Sequence, residues 1–266
     1  IDHEYFGRLF YVFIFSFSVF YIIPNKKTEI LPIAYLLIIL SIFFNYNFFS
    51  GLQEIIIFSF LMIISRYFYN LSTIKNVNLF VFIVLYLNLI FWIKTDGLVY
   101  ILIFMLMINF KSIIPMRDKI IFSLTIFLLI ILKTIIYNFY GLNLNAQPVY
   151  NLDYITNLDF NSLLIKIKYV SIWFAYYSLN NIFFISGVLF IIYLNFDKKF
   201  NKEDLRSLNL YLFLIISFIF SAYILRDQDI IYSIRTTMDR LVMTSSGFFV
   251  YVILVNFDKI IAKKFK

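Results

Sequence analysis

The sequence predicts an all-α protein, a transmembrane bundle of about nine helices, from its apolar composition and from the spacing of its charges. Apolar residues make up 62% of the 266 residues and charged residues 14%, against about 45–50% and about 25% in soluble domains. Long runs carry no charged side chain, among them residues 120–132, 209–225 and 241–256. Such runs cross a bilayer as helices, which satisfy their own backbone hydrogen bonds there.

The apolar runs divide the chain into nine predicted spans joined mostly by short polar turns. Pro24 to Lys27 separate the first two spans, and Asn45 to Asn47 with Gly51 separate the next two. Strands of a β-barrel would alternate polar and apolar residues, whereas residues 55–64 and 182–193 are apolar on nearly all sides. The predicted spans are 9–23, 30–48, 52–69, 77–93, 97–110, 120–137, 181–196, 208–225 and 238–256.

One long connection, residues 141–180, interrupts this pattern within what we predict to be a single transmembrane domain, residues 1–266. It begins with Gly141 and Pro148 and leads into an amphipathic segment, residues 163–178, which carries Lys166 and Lys168. A basic amphipathic helix lies in the interface more readily than it crosses the hydrocarbon. We therefore expect this segment to form an interfacial helix in an outer loop.

The basic residues predict the sidedness of the chain. Clusters at Lys198 to Arg206 and Lys259 to Lys266 fall on the same side as most other basic residues. The positive-inside rule assigns that side to the cytoplasm. The N-terminus and the 141–180 connection then face outward, and the C-terminus is cytoplasmic.

Composition also limits which metal sites, cofactors and partners are expected. The chain has no cysteine and one histidine, His3, so thiolate and multi-histidine metal sites are not expected. The net charge of +8 comes mainly from turns between apolar runs, where basic residues fix topology, so we expect membrane lipids and no nucleic acid as partners. Oxygen ligands from Asp96 or Asp239 could bind a divalent cation, but no motif requires a metal or another cofactor.

Four polar groups on the predicted outer side are candidate site residues, since ionisable groups at the hydrocarbon boundary are costly. They are Asp2 to Tyr5 near the N-terminus, Glu54 at the start of one span, Lys94 and Asp96 in a turn, and the segment 235–240 with Arg235, Asp239 and Arg240. Each also has a simpler interpretation. A first-turn acid complements its helix dipole, and a tight turn needs polar residues. Arg235 and Asp239, four apart, could pair. Lys133, within a span, is expected to snorkel outward.

Three segments in this order resemble bacterial C-type integral membrane glycosyltransferases related to protein O-mannosyltransferases. They are Gly51 to Glu54, Trp92 to Leu98 with its Lys-Thr-Asp-Gly turn, and Thr236 to Val242 with its Asp-Arg-Leu sequence. The chain departs from the family pattern at Phe6-Gly7 and at Ser245 to Gly247, where the family commonly has prolines.

The resemblance implies a polyprenyl-phosphate-linked sugar as donor and an acceptor hydroxyl activated by a carboxylate in the first outer loop. That carboxylate is expected upstream of Ile1, so we expect this chain to be the C-terminal part of a longer protein, with Asp2 and Glu4 as the catalytic candidates within it. Arg240, Arg235 and Lys94 would bind the donor phosphate, with Glu54, Asp96 and Asp239 in support.

The sequence therefore predicts a glycosyltransferase acting at the extracytoplasmic face of a bacterial inner membrane. Two alternatives stay open. The long outer loop also suits a polysaccharide polymerase or O-antigen ligase. A lipid or polysaccharide transporter without chemistry would fit the same composition, although internal repeats and broken midplane helices typical of transporters are not evident.

Overall fold

The structure, a computed structural model, describes residues 3–22, 53–71, 77–142, 159–196, 202–225 and 230–264. Within these ranges every regular element is an α-helix, which confirms the predicted all-helical class. The helices are α1 (His3–Ile22), α2 (Glu54–Asn70), α3 (Val77–Ile93), α4 (Gly97–Phe110), α5 (Met116–Phe139), α6 (Phe160–Asn180), α7 (Ile182–Phe196), α8 (Lys202–Ile224) and α9 (Ile230–Lys264).

Each predicted span other than 30–48 overlaps a helix, while the predicted span 30–48 lies outside the described residues. Two helices, α5 and α8, are long and apolar enough to cross a membrane, and the bent pair α6–α7 would be a third if it forms one span. Three shorter apolar helices are Leu9–Ile22, Leu79–Ile93 and Gly97–Phe110. The described chain therefore has two or three candidate membrane spans by length and composition.

The centre of the bundle is the crossing of α2 and α9. Gly247 of α9 lies so close to α2 that an added Cβ would be 2.4 Å from the carbonyl oxygen of Phe58. Ser59 and Ser246 are fully buried and donate hydrogen bonds to carbonyls of their own helices. Small residues allow helix backbones to approach closely without leaving unsatisfied polar groups.

Helices α3 and α4 form a hairpin through the turn Lys94-Thr95-Asp96. The backbone N–H of Gly97 donates to the carbonyl of Lys94 at 2.9 Å. A Cβ at Gly97 would be 2.5 Å from the carbonyl oxygen of Ile90, so a glycine is needed for the two helices to meet this closely. The hairpin brings its polar turn to the end of the bundle where α2 begins.

Helices α6 and α7 meet at 94°, next to Asn181, whose side-chain Oδ1 accepts the backbone N–H of Phe184 at 3.0 Å. This satisfies one free donor at the start of α7. The predicted helix over 163–178 is confirmed, but its two lysines differ: Lys166 is buried and donates to the carbonyl of Ile224 at 3.4 Å, while Lys168 is exposed. Its membrane-surface location stays a prediction.

Candidate functional site

The candidate site is built around Lys94, which bridges two carboxylates. Its Nζ lies 3.0 Å from Oε1 of Glu54 and 3.2 Å from Oδ2 of Asp96. Glu54 opens α2, where a carboxylate complements the helix dipole, and the α3–α4 turn carries the other two residues across from it. We call Glu54, Lys94 and Asp96 the carboxylate–lysine cluster; it joins positions 40 residues apart in the sequence.

Burial differs within the carboxylate–lysine cluster. Glu54 is 5% exposed, whereas the side chains of Lys94 and Asp96 are 32% and 38% exposed. Burial lowers the pKa of the Lys94 ammonium, but the carboxylates of Asp96 and Glu54 together outweigh this effect and hold that pKa above its usual value. Lys94 therefore stays charged at neutral pH, and Asp96 is the member of the cluster with the most open carboxylate.

A short hydrogen-bond chain links the helix that follows this cluster to the last helix. Tyr100, in the first turn of α4, is buried and donates its hydroxyl to Oγ1 of Thr244 on α9 at 2.9 Å. Thr244 Oγ1 lies 3.0 Å from the carbonyl oxygen of Arg240, to which it donates. Arg240 is half-buried. The turn of α9 that carries Arg240 is thus packed close to the start of α4.

Arg235 lies in a different environment. Its guanidinium carbon is 5.9 Å from the ring centre of Trp173 on α6, within the range of a cation–π contact. Helical spacing would allow Arg235 to pair with Asp239, but no ion pair joins them in the described part of the chain; Oδ1 of Asp239 accepts the backbone N–H of the next residue, Arg240, at 2.7 Å. Trp173 belongs to another helix, so spacing along α9 does not reveal its contact with Arg235.

The structure therefore brings together Glu54, Lys94 and Asp96 and connects them to the turn of Arg240 through Tyr100 and Thr244. The described contact of Arg235 is with Trp173. Asp2 and the side chain of Glu4 lie outside the described residues. Among described residues no group of three or more His, Cys, Asp or Glu side chains could hold a metal ion, so the cation at Asp96 or Asp239 stays a prediction.

The sequence reasoning missed Tyr100 and Thr244 because both stand in apolar segments as ordinary polar residues of a helix. It also placed Lys133 wrongly. Lys133 of α5 is 1% exposed rather than snorkelling outward. Its Nζ donates to the carbonyl of Phe91 and lies 3.9 Å from the ring centre of Phe91 and 5.2 Å from that of Tyr137.

This contact ties α5 to the end of α3, three residues before Lys94. A lysine within an apolar run is a visible signal, but its partner is a backbone carbonyl at a helix end, which has no signature in the sequence. Lys133 therefore supports the turn that carries the carboxylate–lysine cluster.

Another buried lysine lies at the opposite end of α4. Lys111 is 2% exposed, donates to the carbonyl of Phe68 at 3.0 Å and lies 3.6 Å from Oδ1 of Asp204 at the start of α8. Burial lowers the pKa of its ammonium, and the charge of Asp204 opposes that shift. Lys111 thus connects three helices at the end of the bundle away from the candidate site.

Comparison with models of protein families, with curated proteins and with solved structures finds no match to this chain.

Proposed function

We propose that this chain belongs to a membrane glycosyltransferase that transfers a sugar from a polyprenyl-phosphate carrier to an acceptor hydroxyl at the extracytoplasmic face of a bacterial inner membrane. One observation carries the proposal: the segments of Glu54 and Lys94, which resemble two motifs of C-type glycosyltransferases, meet in the carboxylate–lysine cluster. The hydrogen bond from Tyr100 to Thr244 joins the start of α4 to the part of α9 that directly follows the third motif, residues 236–242.

The proposed topology has nine spans, with the N-terminus outside and the C-terminus in the cytoplasm. Glu54 and Lys94 lie at one end of α2 and α3, and Lys111 lies at the other end of α2, against Phe68. This arrangement fits a topology in which successive helices cross the membrane in opposite directions. The distribution of basic residues assigns the Lys111 end to the cytoplasm and the cluster to the outside.

In the proposed reaction the acceptor oxygen attacks the anomeric carbon of the sugar. The bond from that carbon to the phosphate oxygen breaks, the lipid phosphate leaves with the electron pair, and the hydroxyl proton passes to a carboxylate. In the family that the chain resembles, this carboxylate belongs to the first outer loop, and Asp2 and Glu4 are the candidates for the role in this sequence. The transfer balances without a redox partner.

The cations would stabilise the leaving phosphate unequally. Lys94 already has two carboxylate partners, so a phosphate approaching it must compete with Asp96 and Glu54. Arg240 forms no ion pair in the described residues and can present two N–H groups to one phosphate. We therefore assign the main phosphate contact to Arg240, with Lys94 and Arg235 as secondary contacts and Asp239 in support.

The test uses the full-length protein in membranes and isotope-labelled polyprenyl-phosphate sugars, with release of the lipid phosphate as the readout. Arg240→Ala should lower turnover about 100-fold or more, the usual effect of losing one donor to a developing oxyanion, and Arg240→Lys should recover part of it. Lys168→Ala removes an exposed cation of α6 and serves as the matched control.

Wild-type turnover in folded Arg240→Ala would reject the phosphate role of Arg240. Failure of the folded wild-type protein to release lipid phosphate from a panel of sugar donors would reject the transferase. A protein that instead moves the intact donor across a vesicle membrane would be a transporter.

A further inference from the structure

Helices α3 and α5 leave a groove between them that the candidate site does not use. The groove has a volume of about 670 Å³, within the range of about 300–1,000 Å³ typical of ligand sites. Its lining includes Phe80, Val84 and Asn88 on α3 and Arg117, Ile121 and Thr125 on α5. Most of the lining side chains are apolar, and the charged ones are at one end.

The groove is long and opens on the surface of the bundle. The α5 residues that line it run from Arg117 to Leu129, a rise of about 18 Å along a helix. Large apolar side chains that line it are exposed, with Val81 at 57%, Leu85 at 49% and Ile121 at 51%. A ligand of this shape is an extended hydrocarbon chain rather than a compact polar solute.

The charged end of the groove has one positive and one negative side chain. Arg117 is exposed and Asp118 is half-buried, and neither forms an ion pair within the described chain. Both lie in the first turn of α5, after Pro115, where the helix dipole adds partial positive charge. A headgroup with a phosphate for Arg117 and an ammonium for Asp118 complements this end of the groove.

Asn88 lines the interior of the groove. Its Oδ1 is buried and accepts no hydrogen bond from the described residues. An unpaired amide oxygen in apolar surroundings is costly, and rotation of the amide can present its N–H₂ group in place of the oxygen. After this rotation the N–H₂ group would donate to an ester carbonyl of a lipid in the groove.

We propose that the groove between α3 and α5 binds one zwitterionic phospholipid, with its phosphate at Arg117, its ammonium at Asp118 and an acyl chain along Val84 and Ile121. The site is independent of the transfer chemistry, since its charged end, at Arg117 and Asp118, lies at the other end of α3 from Lys94. Phosphatidylethanolamine, which has both headgroup charges, should bind better than phosphatidylglycerol, which lacks the ammonium.

The experiment is photo-cross-linking of the protein in nanodiscs with phosphatidylethanolamine that carries a diazirine in one acyl chain, followed by peptide mapping. Labelling of groove residues should saturate near one probe per chain, whereas labelling by bulk lipid at Leu189 of α7, 58% exposed, should rise linearly with probe. Inorganic phosphate should not compete.

Three variants test the parts of the site. Val84→Trp fills the groove and should lower groove labelling about tenfold, while Leu189→Trp, its control, should not. Arg117→Gln should weaken binding about tenfold, as expected for the loss of a charge-assisted hydrogen bond. Asp118→Asn should abolish the preference over phosphatidylglycerol. Arg117 and Asp118 lie at the surface, so these two variants keep the test valid if Val84→Trp does not fold.

Several results would overturn the proposal. Labelling of groove and Leu189 in the same linear way would mean that bulk lipid fills the groove. Unchanged labelling in folded Val84→Trp and Arg117→Gln would exclude the site. Cross-links from groove residues to a second copy of the chain would show that a protein surface occupies it.

Discussion

Replacement of Lys94 by methionine should destabilise the bundle more than replacement of either carboxylate. Lys94 Nζ lies 3.0 Å from Glu54, which is 5% exposed. Methionine keeps the apolar stem and removes the ammonium, so the Glu54 carboxylate loses its charge partner. Breaking a fully buried pair costs about 3–5 kcal/mol. The Lys94 side chain is 32% exposed, so we expect about 2–3 kcal/mol.

Two carboxylate variants provide the comparison for the loss of unfolding free energy in Lys94→Met. Asp96→Asn removes the 38% exposed partner and should cost about 1 kcal/mol or less. Glu54→Gln leaves Lys94 paired with Asp96 and should cost less than Lys94→Met. The double variant Lys94→Met with Glu54→Gln no longer has a carboxylate at position 54, so its loss should be about 1–2 kcal/mol smaller than the sum of the two single losses.

The assay is unfolding by sodium dodecyl sulfate in mixed micelles, followed by helical circular dichroism and tyrosine fluorescence. Lys168→Met, which removes an exposed lysine of α6, is the matched control and should change the free energy of unfolding little. Strict additivity of the two single losses, or a Lys94→Met protein as stable as wild type, would refute the view that a partly buried ion pair holds α2 to the α3–α4 turn.

The same pair makes stability depend on pH. The pKa of Lys94 is raised above its usual 10.5, so the stability that this lysine contributes is fully present below pH 10.5 and is lost as pH rises through the folded-state pKa. The difference in unfolding free energy between wild type and Lys94→Met should therefore shrink at alkaline pH. A constant difference would contradict this. Gly247→Ala places a Cβ 2.4 Å from the Phe58 carbonyl oxygen and should destabilise by about 1–3 kcal/mol in the same unfolding titration. At Gly141, with φ +64 and no atom within 4 Å of an added Cβ, alanine should cost about 1–2 kcal/mol from backbone conformation alone, and unlike Gly247→Ala it should leave the packing of α2 on α9 intact.

Helix positions could be read from the sequence because they depend on local composition. The spans predicted at 77–93 and 97–110 match α3 and α4, with the turn at Lys94 to Asp96 placed between them. Gly97 marked that turn correctly, and the structure supplies the reason, since a side chain there would collide with Ile90.

The site was predicted in part. Glu54, Lys94 and Asp96 stood out because charges are rare in this chain, and the structure brings them together. Arg235 could pair with Asp239 by spacing, since the two are one helical turn apart, but its described contact is with Trp173 from another helix. Helical spacing identifies which residues share a face and does not identify what that face meets.

Hydrophobic runs and turn residues act over a few neighbouring positions, so the sequence is enough to show that the chain is apolar and helical. Which charged groups meet depends on the tertiary structure. Glu54 and Lys94 are 40 residues apart, and Lys133 reaches a backbone carbonyl 42 residues away. Such contacts depend on how each helix is rotated and how closely it packs, as at Gly247 and Phe58, and these are properties of the whole bundle.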